Sequence, residues 1–272
     1  MRYLVDLHTH STASDGQYSP SELVRLAKKR GLSAMALTDH DTTAGVEEAI
    51  AAGAELGVRI LRGVELSARE YQNFHILGYC YDTDPSVLQN LCAEQRVNRI
   101  RREQMILDFL SGKGCNLSLN QVEQLADGGI IGRPHFAEAM VRRGYVQTRR
   151  EAFDKFLDTP EFWTMIPRLE APARDCLRAI KGSGGKASLA HPYQMKISEQ
   201  ELDNLVRELA DWGLDAIECY YPKYTPEQQI LYLRLAEKYN LHATGGSDFH
   251  GEQVKPDVQL AALELELDWL VN

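Results

Sequence analysis

Tyr3-Leu4-Val5-Asp6-Leu7-His8-Thr9-His10 sets the reading of the whole chain: a short apolar run that ends on two histidines one residue apart. Alternate residues of a strand share a side, so His8 and His10 can both point into one site from one strand end. The same grammar recurs downstream. Ala36-Leu37-Thr38-Asp39 leads to His40, Ile60-Leu61-Arg62-Gly63-Val64 to Glu65, and Leu189-Ala190 to His191. After the run that starts at His242 come Gly245-Gly246-Ser247-Asp248-Phe249-His250, where the two glycines permit tight approach around a site. His75 differs, because it opens the apolar run Phe74–Tyr79 instead of closing one.

Strand-like runs cover Tyr3–Leu7, Ala34–Leu37, Arg59–Leu66, Phe74–Tyr79, Lys186–Ala190, Ala216–Tyr220 and His242–Thr244. Helical patterns lie between them at Pro20–Arg30, Ala44–Leu56, Ala173–Ser183, Glu199–Asp211 and Pro226–Tyr239. Ser19-Pro20-Ser21-Glu22 and Thr225-Pro226-Glu227 mark helix starts, while Gly31, Gly57 and Gly184-Gly185 mark stops. Such alternation predicts an α/β fold with a mostly parallel sheet closed into a barrel. Active sites of these barrels lie at the C-terminal ends of the strands, where the histidines and carboxylates fall.

Residues 86–172 break the rhythm. Ser86–Leu110 reads as one long helix, followed by shorter helical patterns at Leu119–Ala126, Pro134–Arg143 and Arg149–Leu157, with no convincing strand. We read 86–172 as a helical insertion between the barrel segments 1–85 and 173–272, placed so as to cover the active face.

The chain has 272 residues, 44% hydrophobic and 25% charged, ordinary values for a soluble globular protein. No apolar run approaches the ~18–20 residues of a membrane span, and the first strand starts too close to Met1 for a signal peptide. Five cysteines (Cys80, Cys92, Cys115, Cys176, Cys219), an odd number without CxxC spacing, read as reduced thiols of a cytoplasmic protein. A net charge of −9 and a pI near 5.4 argue against a broad nucleic-acid surface. Bound divalent ions would still make one site locally positive and attractive to phosphate. No protein partner is signalled.

Six of the eight histidines fall in this pattern, joined by carboxylates and by no cysteine. That donor set suits divalent Mn, Zn or Fe. Each element also has an ordinary reading. Asp15 in Ser14-Asp15-Gly16 sits in a common turn, and Asp39-His40-Asp41-Thr42 could cap the following helix. Glu65 could be a surface carboxylate, and His191-Pro192 a satisfied histidine at a turn. All of these would have to hold at once at barrel-top positions, whereas a metal centre explains them jointly.

The chain resembles the polymerase-and-histidinol-phosphatase (PHP) phosphoesterases. The resemblance rests on Asp6-Leu7-His8-Thr9-His10-Ser11, Ser14-Asp15-Gly16, Thr38-Asp39-His40-Asp41, Gly63-Val64-Glu65, Ala190-His191-Pro192 and Gly246-Ser247-Asp248-Phe249-His250. Within that family it looks most like the stand-alone branch that acts on nucleoside 3',5'-bisphosphates and trims short RNA from the 5' end. Chain length, the insertion, Phe74-His75-Ile76-Leu77-Gly78 and Gly132-Arg133-Pro134-His135-Phe136 carry that closer likeness. The resemblance implies a distorted (β/α)7 barrel and two or three divalent ions. It implies that His8, His10, Glu65 and Asp248 hold the first metal. Glu65 would bridge to a second, completed by His75 and His191, and Asp15, His40 and His250 would hold a third.

The expected activity is hydrolysis of phosphate monoesters or diesters through a metal-bridging hydroxide, since neighbouring ions lower the pKa of a shared water toward ~7. Arg133 is the candidate for a bidentate phosphate contact, and His135 for orienting a phosphate or protonating the leaving oxygen. An arginine that follows Ala-His-Pro in that branch is replaced here by Tyr193-Gln194-Met195, so Lys223 or Lys196 is a candidate for the missing cation. Arg99 and Arg102 share a helix face, Tyr220 or Tyr221 could stack on a base, and His242 reads as structural. The expected partner is a phosphorylated small molecule, a nucleotide or short single-stranded RNA. Two alternatives compete: a small-metabolite phosphatase acting on a compound such as histidinol phosphate, and a non-catalytic metal-binding module. An amidohydrolase is disfavoured because no motif suggests a lysine-type bridging ligand.

Overall fold

The computed structural model describes residues 2–82, 84–126 and 129–271. In chain order the elements are β1 (Arg2–Thr9), α1 (Pro20–Lys29), β2 (Ala34–Leu37), α2 (Val46–Leu56), β3 (Arg59–Ala68), β4 (Phe74–Tyr79), α3 (Ser86–Gly112), α4 (Leu119–Ala126) and α5 (Arg133–Arg142). Then follow α6 (Arg149–Ala152), α7 (Pro160–Met165), α8 (Ala173–Gly182), β5 (Lys186–Leu189), α9 (Glu199–Asp211), β6 (Ala216–Tyr220), α10 (Pro226–Lys238), β7 (His242–Gly245) and β8 (Leu263–Glu266). Two compact units result: residues 1–93 with 171–272, and residues 94–170.

The first unit is an α/β barrel, nearly closed, with strand order β7-β6-β5-β4-β3-β2-β1-β8. β1, β2 and β3 are parallel, as are β5, β6 and β7. β4 runs antiparallel to both its neighbours and β8 antiparallel to β1. The reversal of β4 follows from chain length, because too few residues separate it from β3 for a parallel crossover. β8 is a strand that the sequence reading missed, although Leu263-Glu264-Leu265-Glu266 alternates with the period of a half-exposed strand.

Both faces of the parallel strands are covered, so their residues are buried in succession. Ala34 and Ala36 of β2 join Val5, Leu7, Leu61, Leu77 and Tyr79 in one core. Met35 and Leu37, facing the other way, join Leu23, Val24 and Ala27 of α1 in another. α1 starts where its sequence indicates: the Ser19 side chain accepts from the Glu22 N–H while the Glu22 carboxylate accepts from the Ser19 N–H at 2.9 Å. These contacts fix the strand ends from which the site is built.

The second unit is helical and has its own core of Ile106, Leu110, Phe136, Met140 and Phe162. No strand occurs among its described residues. No described helix is long and apolar enough to cross a membrane.

Candidate metal centre and arginine cluster

Glu65, near the C-terminal end of β3, is fully buried, and five imidazoles close on its carboxylate. Oε2 lies 3.2 Å from His8 Nε2, 3.2 Å from His10 Nε2 and 3.1 Å from His40 Nδ1. Oε1 lies 2.8 Å from His75 Nδ1 and 2.9 Å from His191 Nε2. Each oxygen therefore faces its own set of nitrogens, the arrangement of a carboxylate that bridges two ions. Asp248 Oδ1 completes the first set at 3.6 Å from His8 Nε2 and 3.4 Å from His10 Nε2.

His75 belongs here because β4 is reversed. Its first residues lie beside the end of β3, with His75 paired to Ser67, so a histidine that opens its strand reaches the same rim as those that close theirs. A further group gathers His10, Asp15, His40 and His250, whose ligand atoms all lie within 4.8 Å of one another. His250 Nε2 is 3.3 Å from Asp15 Oδ1. All nine residues singled out from the sequence as metal ligands come together in the first unit.

Buried carboxylates between the strands hold these residues in place; Asp6 and Asp39 stand within the sequence motifs, but the sequence assigned them no such role. Asp6 Oδ1 accepts the N–H groups of His8 (3.1 Å) and Ser247 (2.9 Å), and its Oδ2 accepts from the Ser247 hydroxyl and the Ala261 N–H. Burial pushes the Asp6 carboxyl up to about 6, against these hydrogen bonds, which lower it. Asp39 takes the Ser11 N–H and the hydroxyls of Ser11 and Ser14, tying the loop after His10 to the strand end before His40. Gly246 is required by proximity, since a Cβ there would lie 2.4 Å from Cβ of His8. Asp248 (φ 56°) and His191 (φ 22°) sit in the left-handed region, strain of the kind that persists when surrounding contacts over-determine it. Asp248 Oδ2, the oxygen turned away from His8, accepts from Lys255 Nζ at 2.7 Å and from the Tyr221 hydroxyl at 3.1 Å. Lys255 had no signal in the sequence, because it lies seven residues past Asp248 in an irregular loop.

The electrostatics are those of a site built around cations. Burial alone would lower His8, yet Glu65, Glu218 and Asp248 hold its pKa well above the usual histidine range. His10 is raised to about 9 against burial, by Asp248, Glu65 and Asp15. Burial would raise Glu65, but His40, His8 and His75 hold it well below the usual carboxylate range. His40 and His250 are instead lowered, by burial first, with neighbouring His10 adding to the effect.

Among the described residues, His8 Nε2, both ring nitrogens of His10, His40 Nδ1 and Glu65 Oε2 are buried without a hydrogen-bond partner. Each such atom costs about 1–3 kcal/mol unless something satisfies it. Lone pairs that converge at these distances without hydrogen-bond geometry fit divalent ions. Nitrogen and oxygen donors with no thiolate fit Mn, Zn or Fe.

The second unit carries a separate cationic cluster. Arg102 is lowered by burial first, then by Arg133, Arg168 and Arg99, with Glu170 opposing. Arg133, at the start of α5, donates to Leu157 O (3.1 Å) and Asp158 Oδ1 (2.9 Å) and stacks 4.6 Å over the Trp163 ring. Arg168 approaches the same ring at 5.3 Å. His135 Nδ1 accepts the Gly132 N–H at 3.0 Å, capping α5. Arg168 was not anticipated from sequence. Lys223 lies exposed on the turn after β6, and Lys196 is also exposed, in the left-handed conformation that ends the short helix Pro192–Met195. His242 stacks on Trp269 at 4.4 Å, apart from the ligand groups.

Residues 6–244 match the family model of the PHP domain. A 5'-3' exoribonuclease of Haemophilus influenzae is 34% identical over 90% of this chain and 89% of its own. A 3',5'-nucleoside bisphosphate phosphatase of Chromobacterium violaceum is 32% identical over 90% of this chain and 87% of its own. Among solved structures, a candidate metal-dependent phosphoesterase of Bifidobacterium adolescentis superposes with a TM-score of 0.75 at 33% identity, covering 94% of this chain and 90% of that one.

Proposed function

The chain belongs to the PHP family and is a metal-dependent phosphoester hydrolase, and from that premise we propose that it hydrolyses a phosphate monoester of nucleoside 3',5'-bisphosphates and the phosphodiesters at the 5' ends of short RNA. The observation that carries the reading is a carboxylate, Glu65, with each oxygen facing a different set of imidazoles; the helical unit, by itself, carries Arg133 and Arg168 over one Trp163 ring with Arg99 and Arg102 near them. The first suits hydrolysis at phosphorus. The second suits a substrate that carries more than one phosphate.

In this reading His8, His10, Glu65 and Asp248 hold one ion and Glu65, His75 and His191 a second. Asp15, His40 and His250 hold a third, the ions being Mn, Zn or Fe. When bound, such ions lower the pKa of a shared water toward ~7 and neutralise charge on the phosphate. The protein's own groups position and bind. Lys255 and Tyr221 fix Asp248 from behind through Oδ2. Arg133 takes a substrate phosphate with its planar guanidinium, His135 orients a phosphate oxygen or protonates the leaving oxygen, and Lys223 is the candidate for the cation otherwise expected after Ala190-His191-Pro192. The five free thiols fit a cytoplasmic enzyme.

The test is phosphate release by manganese-loaded protein from adenosine 3',5'-bisphosphate, with adenosine 5'-monophosphate and histidinol phosphate alongside, and nucleotide release from a 5'-phosphorylated oligoribonucleotide. Selective turnover of the bisphosphate and the oligonucleotide is expected. Preference for histidinol phosphate would move the enzyme to a small-metabolite role and leave the arginine cluster without its proposed task.

A further inference from the structure

Glu218, in the middle of β6, is fully buried and lies outside the ligand groups gathered on Glu65. Its Oε1 is 3.0 Å from His8 Nδ1, and its Oε2 accepts the backbone N–H of His191 at 2.8 Å. The two histidines serve opposite oxygens of Glu65: His8 Nε2 faces Oε2 and His191 Nε2 faces Oε1. Their rings stack with centroids 5.4 Å apart. One carboxylate therefore stands behind both halves of the centre. Burying a charge is costly without close partners, and the His8 ring and the His191 N–H are close partners of the Glu218 carboxylate.

We propose that Glu218 is the positioning residue that couples the two halves of the metal centre. By accepting the Nδ1–H of His8, it leaves the Nε2 lone pair of that ring aimed between Glu65 and Asp248. By accepting the N–H of His191, it holds this residue at φ 22° and ψ 61°, a conformation with a cost of about 1–3 kcal/mol that a charge-assisted hydrogen bond offsets. Both partners are donors. A carboxylate accepts from both, whereas a glutamine presents one oxygen and one NH2 and must set a donor against a donor at one contact. Glu218→Gln thus keeps the shape of the side chain and removes the function.

This inference rests on the proposed ligand set, and the test separates the two. Zinc affinity of the full chain is measured by competition with a chromogenic chelator for wild type and Glu218→Gln. The His8 ring is read by long-range 15N–1H correlation in the zinc-loaded protein and assigned through His8→Asn. We expect a protonated Nδ1 on His8 in the wild type. In Glu218→Gln, zinc should bind about 10- to 100-fold more weakly and the His8 ring signal should change. A folded Glu218→Gln with wild-type affinity, or a wild-type His8 without a proton on Nδ1, overturns the proposal and leaves the ligand set standing. Wild-type protein that takes up no zinc overturns both. Should Glu218→Gln not fold, the wild-type ring signal decides alone.

Discussion

Glu65 Oε1 and His75 Nδ1 lie 2.8 Å apart although one residue stands near the end of its strand and the other near the start of the next. The antiparallel β3–β4 hairpin makes this possible, bringing a fifth imidazole to a carboxylate already faced by four others. Five rings around one buried carboxylate leave two chemical solutions. The rings carry protons, or they share cations. A family whose members hydrolyse phosphoesters with metal uses the second, and the competition between the two states has measurable consequences.

Metal affinity should rise with pH. His8 and His10 hold protons above the usual histidine range, His10 up to about 9, because carboxylates surround them. An ion entering at pH 7 must displace those protons, and it competes less as pH falls. Between pH 6 and 8.5, manganese affinity measured by competition should increase about tenfold per pH unit for each proton displaced, with proton release visible in weakly buffered solution. A pH-independent affinity would mean that these rings are not ligands.

Gly246→Ala should damage the site and the fold together. The new Cβ would sit 2.4 Å from Cβ of His8 and 2.6 Å from its backbone nitrogen, and backbone has little room to give. Overpacking of this kind costs about 1–3 kcal/mol. Thermal unfolding should show a lower Tm, and metal analysis a lower content, because the displaced strand end carries His8. An unchanged Tm would contradict the close approach.

Arg133→Ala should separate substrate binding from metal binding. Loss of a charge-assisted contact is worth about 1.5–3 kcal/mol, so KM for the bisphosphate should rise roughly 10- to 100-fold while metal content stays at the wild-type level. The variant also loses the Asp158 and Trp163 contacts, so its folding is checked by circular dichroism. Loss of metal would refute the assigned role.

Most of the centre was legible because ligands on a barrel rim follow a local rule: an apolar run, then a histidine or carboxylate. His8, His10, His40, Glu65, His191, Asp248 and His250 obey it. His75 broke the rule, and only the reversal of β4 explains why it still reaches Glu65. Glu218 was invisible for a related reason. It sits mid-strand in Ala216-Ile217-Glu218-Cys219-Tyr220, where a carboxylate gives no periodic signal and its value depends on two residues far away in sequence. Lys255 and Arg168 depend in the same way on loop geometry. β8 was different, since its leucine–glutamate alternation was present in the sequence and was not weighed for so short a segment.

The most direct measurement is anomalous diffraction from crystals of the manganese-loaded protein, collected across the manganese edge. A bridging Glu65 predicts anomalous peaks on both sides of its carboxylate, one shared with His8, His10 and Asp248 and another with His75 and His191. Anomalous density absent from the Glu65 carboxylate, or confined to one of its oxygens, would contradict the bridged centre on which the proposed hydrolysis rests.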